Sequence, residues 1–185
     1  VLSQKGKYLG SGFINNNSKI MIRIISRNAN DNFDEAFFER RIKYAWDYRK
    51  TVMGEDINCC RIIFGEADEF PGLTIDRFND ILVAQVLSLG IEKRKDMIFN
   101  LIYKILREDN QNIIGIYERN DVEIRKLEGL EEYKGYYKLK DVEVPNYKIT
   151  EIIENGIKYK VDVENGQKTG FFLDQKYNRL AISKI

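Results

Sequence analysis

Between residues 31 and 118 the spacing of apolar side chains switches from a period near 3.6 to a period of two and back, and this limits the fold more than any other feature of the chain. Phe37, Phe38, Ile42, Ala45, Trp46 and Met53 recur at helical spacing behind Asp31 and Asp34, which can cap a helix running to about Thr51. Short alternating runs follow at Arg61 to Phe64, Gly72 to Phe78 and Ile81 to Leu87, punctuated by Pro71-Gly72 and by the tight-turn pair Asn79-Asp80. Met97, Ile98, Leu101, Ile102, Ile105 and Leu106 make one apolar stripe, which predicts a second helix from about Ile91 to Arg107 and then a strand over Asn112 to Glu118. Helices and strands in this mixed order predict an α+β domain over residues 31 to 145.

The flanks read differently. Residues 1 to about 27 give two strands, Tyr8 to Ile14 and Ile20 to Ile25, joined by a turn at Asn15-Asn16-Asn17-Ser18. Two strands do not make a domain, so they are expected to be the end of a small β-barrel. Residues 128 to 150 are charged, tyrosine-rich and without a clear period, which predicts an irregular connection. Glu151 to Val163 alternates around Asn155-Gly156 and predicts a hairpin. The chain then stops within a helical run, so it is expected to be a piece of a longer protein.

Composition excludes several classes of function. With 30 basic and 29 acidic residues there is no bulk positive field for nonspecific nucleic-acid binding, so any RNA contact must be a local patch. The absence of histidine removes Ser-His-Asp and Cys-His sites from this chain and the commonest zinc ligand with them. Cys59 and Cys60 are adjacent, which suits neither a disulfide of normal geometry nor metal-ligand spacing; buried, reduced thiols before a strand are expected. No apolar run approaches a membrane span, and the default compartment is the cytoplasm. Arg40, Arg41, Lys43, Arg49 and Lys50, opposite the apolar stripe of the first helix, read as a solvated face.

Three runs could carry chemistry. In the first, Phe64 to Phe78, the carboxylates of Glu66, Asp68 and Glu69 lack the order of a calcium loop, and Pro71-Gly72 makes a structural turn the better reading. In the second, Tyr117 to Gly129, Arg119, Arg125 and Lys126 could grip phosphate, or pair with Glu118, Asp121, Glu123 and Glu128 in an internal network. The third is Gly166 to Arg179. Its Lys168-Thr169-Gly170 loop offers amides, a hydroxyl and an ammonium to a polar ligand, with Asp174 as N-cap of the final helix, but matches neither a Walker loop nor a dinucleotide fingerprint.

Gly65-Glu66-Ala67-Asp68 with Pro71 to Arg77, then Glu118 to Gly129, then Gly166 to Arg179, occur in an order and spacing that resembles the class I S-adenosylmethionine-dependent methyltransferases acting on carbon 5 of cytosine in large-subunit ribosomal RNA. The resemblance implies the end of an RNA-binding PUA barrel over residues 1 to 27, a central α+β domain over 31 to 145, and the hairpin lead-in of a Rossmann-like catalytic domain over 151 to 185. It implies S-adenosylmethionine as cofactor, lined by Lys168, Thr169, Gly170, Phe171, Asp174, Gln175 and Arg179, with Lys168 or Arg179 facing the methionine carboxylate. Ribosomal RNA is the implied partner, with a homodimer left open and no membrane. Two positions depart from the family pattern: Lys176, where arginine is frequent, and Glu69, where glycine is frequent.

No catalytic residue is expected in this chain. Carbon 5 becomes nucleophilic only after a thiolate adds at carbon 6, and the resemblance puts that cysteine beyond Ile185, so the chain alone is expected to be inactive. The competing reading is a non-catalytic RNA-binding module that acts with a separate partner.

Overall fold

The structure, a computed structural model, describes residues 1–182. Among these, no helix is long and apolar enough to cross a membrane. β1 (Ser11–Ile14) and β2 (Ile22–Ser26) form an antiparallel pair with a bulge near Ser11. α1 (Glu35–Met53) follows, capped by the Asp34 carboxylate, which accepts from the Phe37 amide at 3.0 Å.

The centre of the molecule is a five-stranded sheet in the order β3 (Cys59–Phe64), β4 (Leu73–Phe78), β5 (Ile81–Val86), β6 (Gly115–Asn120), β7 (Tyr133–Tyr136). All pairs are antiparallel except β5 and β6, which run parallel because the chain crosses over through α2 (Leu89–Glu92) and α3 (Lys95–Glu108). A short α4 (Ile124–Leu127) separates β6 from β7. One sheet face meets α1 and α3 over a core that includes Phe38, Trp46, Ile62, Ile75, Leu82 and Phe99. The other face carries Cys59, Phe78, Ile81, Val83 and Tyr117 and packs against the hairpin β8 (Ile149–Glu154) and β9 (Ile157–Asp162) through Ile152, Val161 and Val163. Because both faces are covered, β4 and β5 are buried almost end to end rather than alternately.

The mixed α+β architecture read from the periodicities is the one observed. Four local expectations change. The segment expected to be irregular contains β7, whose Tyr-Lys-Gly-Tyr sequence carries little apolar signal and is held by pairing with β6. The second helix is broken in two at Lys93 and Arg94. Both cysteines lie within β3 rather than ahead of it. On α1 the supposed solvated face is partly buried. Arg41 stacks 4.2 Å over the Phe37 ring and donates to the Glu69 carbonyl, and Arg49 donates to the Arg61 carbonyl and to Asp68. Long basic side chains can cover apolar surface with their stems, which a count of charges does not reveal.

Candidate functional site

The C-terminal run is tied to the sheet by buried polar groups. On the face turned toward this run, Arg61 of β3 stands opposite Asp76 of β4, and its guanidinium donates to both carboxylate oxygens at 2.7 and 3.0 Å. Asp76 is fully buried, and its Oδ2 also accepts from the Thr169 hydroxyl at 2.6 Å. Thr169 itself is 1% exposed. The loop is thus fixed at its middle by a residue 93 positions earlier.

A second anchor lies on the hairpin. Glu154 of β8 is 1% exposed and receives two hydrogen bonds from Arg179, at 2.7 and 2.9 Å. Arg179 also donates to the Phe172 carbonyl and lies 4.3 Å over the Phe171 ring. This carboxylate pair raises the guanidinium pKa further above its ordinary value. Arg119 adds a third tie, donating to the carbonyls of Val163 and Gly166.

The loop backbone is equally constrained. Lys168 has φ 55° and Gly170 φ 138°, and a Cβ on Gly170 would stand 2.8 Å from Val161 Cγ1. Gly170 is therefore required for close approach to β9 as well as for its conformation. Asp174 does not cap the last helix as expected. It sits in a 3₁₀ turn, Leu173–Gln175, ahead of α5 (Lys176–Ile182), and its carboxylate is taken by Lys168 Nζ at 3.0 and 3.1 Å. That contact holds the Asp174 carboxyl below its ordinary value. Gln175 turns to its neighbours, accepting from Asn178 at 2.6 Å.

These elements enclose a cleft of about 450 Å³ between the end of α1, β3 and the C-terminal run. Its lining includes Lys168, Phe171, Leu173, Asp174 and Tyr177 from the expected run, and Tyr48 and Phe64, which carried no expected binding role. Thr169, Gly170, Gln175 and Arg179 are absent from the lining; Thr169, Gly170 and Arg179 hold the loop in place, while the Gln175 side chain bonds only to Asp174 and Asn178. Cys59 and Cys60 also border the cleft but are each only 1% exposed, and burial pushes both thiols up to about 12. Such thiols are protonated near neutrality and make poor nucleophiles.

The second charged run is spread out. Arg125 is 1% exposed and donates to the carbonyls of Val86 and Glu131 and to Glu92, which makes it an internal strut rather than a surface charge. Lys126 is exposed and pairs with Glu132. Glu128, from the same run, is buried and accepts from Asn15, Ser18 and Arg23, which docks the β1–β2 hairpin onto the central body. Glu69 adopts φ 61°, a left-handed conformation that favours glycine, so the glutamate found here is held against its backbone preference.

Residues 1–27 match the family described as PUA-like domain, in line with the barrel expected there. Over all 185 residues the chain is 38% identical to Ribosomal RNA large subunit methyltransferase I of Aeromonas salmonicida and 36% identical to the protein of that name from Escherichia coli O139:H28. It spans 44% of the length of each of these relatives. Among solved structures, one from Streptococcus mutans described as a candidate SAM-dependent methyltransferase superposes with a TM-score of 0.72 at 24% identity, over 98% of this chain and 44% of that one. Another, a candidate methyltransferase complexed with SAH, gives 0.71 at 23% identity over 96% of this chain and 42% of that one. The fold is therefore shared with methyltransferase structures, and the curated relatives are ribosomal RNA methyltransferases of which this chain spans a little under half.

Proposed function

We propose that this chain is part of a cytoplasmic enzyme that transfers a methyl group from S-adenosylmethionine to carbon 5 of a cytosine in large-subunit ribosomal RNA. The observation that carries this reading is the similarity to ribosomal RNA methyltransferases along the whole chain at 36 to 38% identity. Residues 1 to 27, 31 to 145 and 151 to 185 then serve as the end of the RNA-binding barrel, the central domain and the lead-in to the catalytic domain.

The cleft suits the cofactor in its chemistry. S-adenosylmethionine supplies an electrophilic methyl group, and it carries an aromatic base, an ammonium and a carboxylate to be recognised. Phe171 and Leu173 offer an apolar wall, and Lys168 and Asp174 are an exposed ion pair beside it. Each of these two can exchange its mutual contact for the ligand carboxylate or ammonium. Arg179 and Thr169 act behind them, the first on Glu154 and the second on Asp76, and keep the loop in a ready-made shape.

Neither Cys59 nor Cys60 is the thiolate that cytosine methylation requires, because burial keeps both protonated. The chain alone is accordingly expected to turn over no substrate. Calorimetric titration with S-adenosylhomocysteine tests the cofactor site: Lys168→Ala should weaken binding about tenfold, the size of one lost charge-assisted contact. Unchanged affinity in a Lys168→Ala, Asp174→Ala double variant would remove the loop from the cofactor site. Transfer of labelled methyl groups to ribosomal RNA by the 185-residue chain alone would contradict its inactivity.

A further inference from the structure

Two groups of aromatic rings bear on the cleft differently, while others, such as the exposed Tyr44, do not border it. Phe37, Phe38, Phe70, Phe78 and Phe99 are at most 2% exposed and belong to the core. Tyr48, Phe64 and Tyr177 are 58%, 55% and 73% exposed, come from α1, β3 and α5, and border the same cleft. Each has a cation set against its ring: Arg49 lies 5.0 Å from the Tyr48 centroid, Arg61 5.2 Å from that of Phe64, and Lys176 5.7 Å from that of Tyr177.

We propose that this rim is a stacking platform for single-stranded RNA, on which Tyr48, Phe64 and Tyr177 receive unpaired bases on their way to the cleft. The proposal rests on RNA being the substrate and adds where the chain grips it. Exposed aromatic faces bind bases of any sequence, and an adjacent cation strengthens the stack. A duplex keeps its bases stacked on each other and has no free faces to offer such rings. Three separate ring–cation pairs suit successive bases of a strand better than one free nucleoside.

The charges refine the reading. Every cation named here already has a carboxylate: Arg49 pairs with Asp68 at 2.5 Å, Arg61 with Asp76 at 2.7 Å, and Lys176 with Asp56 at 2.5 Å. The rim is therefore close to neutral, so attraction comes from base faces more than from phosphates. Binding should then lose little affinity as salt rises, unlike a site built on phosphate contacts.

The test is anisotropy of a short labelled single-stranded RNA with this chain, beside a duplex and an abasic strand of equal charge. The single strand should bind, the abasic strand and the duplex should bind far more weakly, and the salt slope should be shallow. Tyr48→Ala, Phe64→Ala and Tyr177→Ala should each weaken binding by about five- to a hundredfold, the usual effect of losing one stacking ring. Tyr48→Phe and Tyr177→Phe should retain it. Equal affinity for the abasic strand, equal affinity for the duplex, unchanged binding by the triple alanine variant, or no binding by the parent chain would each overturn the platform. The abasic comparison needs no substitution and so is independent of any folding defect. Cofactor titration reads the methyltransferase proposal separately: a chain that binds S-adenosylhomocysteine but not RNA loses only the platform.

Discussion

The Thr169 hydroxyl donates to Asp76 at 2.6 Å in a place where neither residue meets solvent, although 93 residues separate them. Asp76 belongs to the sheet and Thr169 to the loop that borders the cleft. The bond makes the loop conformation a property of the central sheet. Thr169→Val keeps the shape and removes the donor, leaving Arg61 as the carboxylate's side-chain partner. A loss of about 1.5 to 3 kcal/mol, the range for a hydrogen bond to a charged group, should appear in urea unfolding, with weaker S-adenosylhomocysteine binding.

Arg179→Ala should be more damaging than its position near the chain end suggests. It would strand the Glu154 carboxylate, which is 1% exposed. Breaking a buried pair costs about 3 to 5 kcal/mol. Because the Arg179 side chain is 22% exposed, a value of about 2 to 4 kcal/mol is expected. Denaturant midpoints of Arg179→Ala and Arg179→Lys would check this, with lysine recovering part of the loss.

The two thiols give a chemical test. With both pushed up to about 12 by burial, they should react with a disulfide reagent at pH 8 only as fast as the protein opens. Full reaction is expected in denaturant. Immediate labelling of the native chain would show a thiolate that this environment does not support. If the chain serves the proposed methyl transfer, Cys60→Ala should leave that transfer in place.

Glu128 makes the docking of the β1–β2 hairpin sensitive to acid. Burial pushes its pKa up, but hydrogen bonds from Ser18, Arg23 and Asn15 outweigh that and bring it below the ordinary 4.5. A carboxyl depressed in the folded state contributes stability that is fully present above its unfolded pKa and disappears as pH falls through the folded value. The hairpin should therefore loosen below about pH 4.5, seen as faster amide exchange in residues 11 to 26. Glu128→Gln should be weaker at neutral pH and lack this acid step.

Elements with a strong period were legible in the sequence. The apolar stripes of α1 and α3 and the Asn155-Gly156 hairpin need only neighbours a few residues apart. The strand β7 was not legible, because its backbone is held by β6 and its side chains show no alternation of apolar character. The Lys168 to Asp174 loop was picked out by its residue types, and Lys168, Phe171 and Asp174 do border the cleft. The aromatic rim was not, since only Tyr177 belongs to the C-terminal run while Tyr48 and Phe64 come from two distant elements, and the three form no motif.

What the sequence determined by itself is the order of the strongly periodic helices and strands, because amphipathic period and turn chemistry are local. The tertiary structure alone decided the fate of the charges. Arg125 looks like a surface cation yet ends inside the protein, and Asp76 and Glu154 become buried anchors for a loop that follows them. Whether a charged side chain is solvated, paired or buried depends on which distant groups fold against it, and a linear pattern contains no term for that.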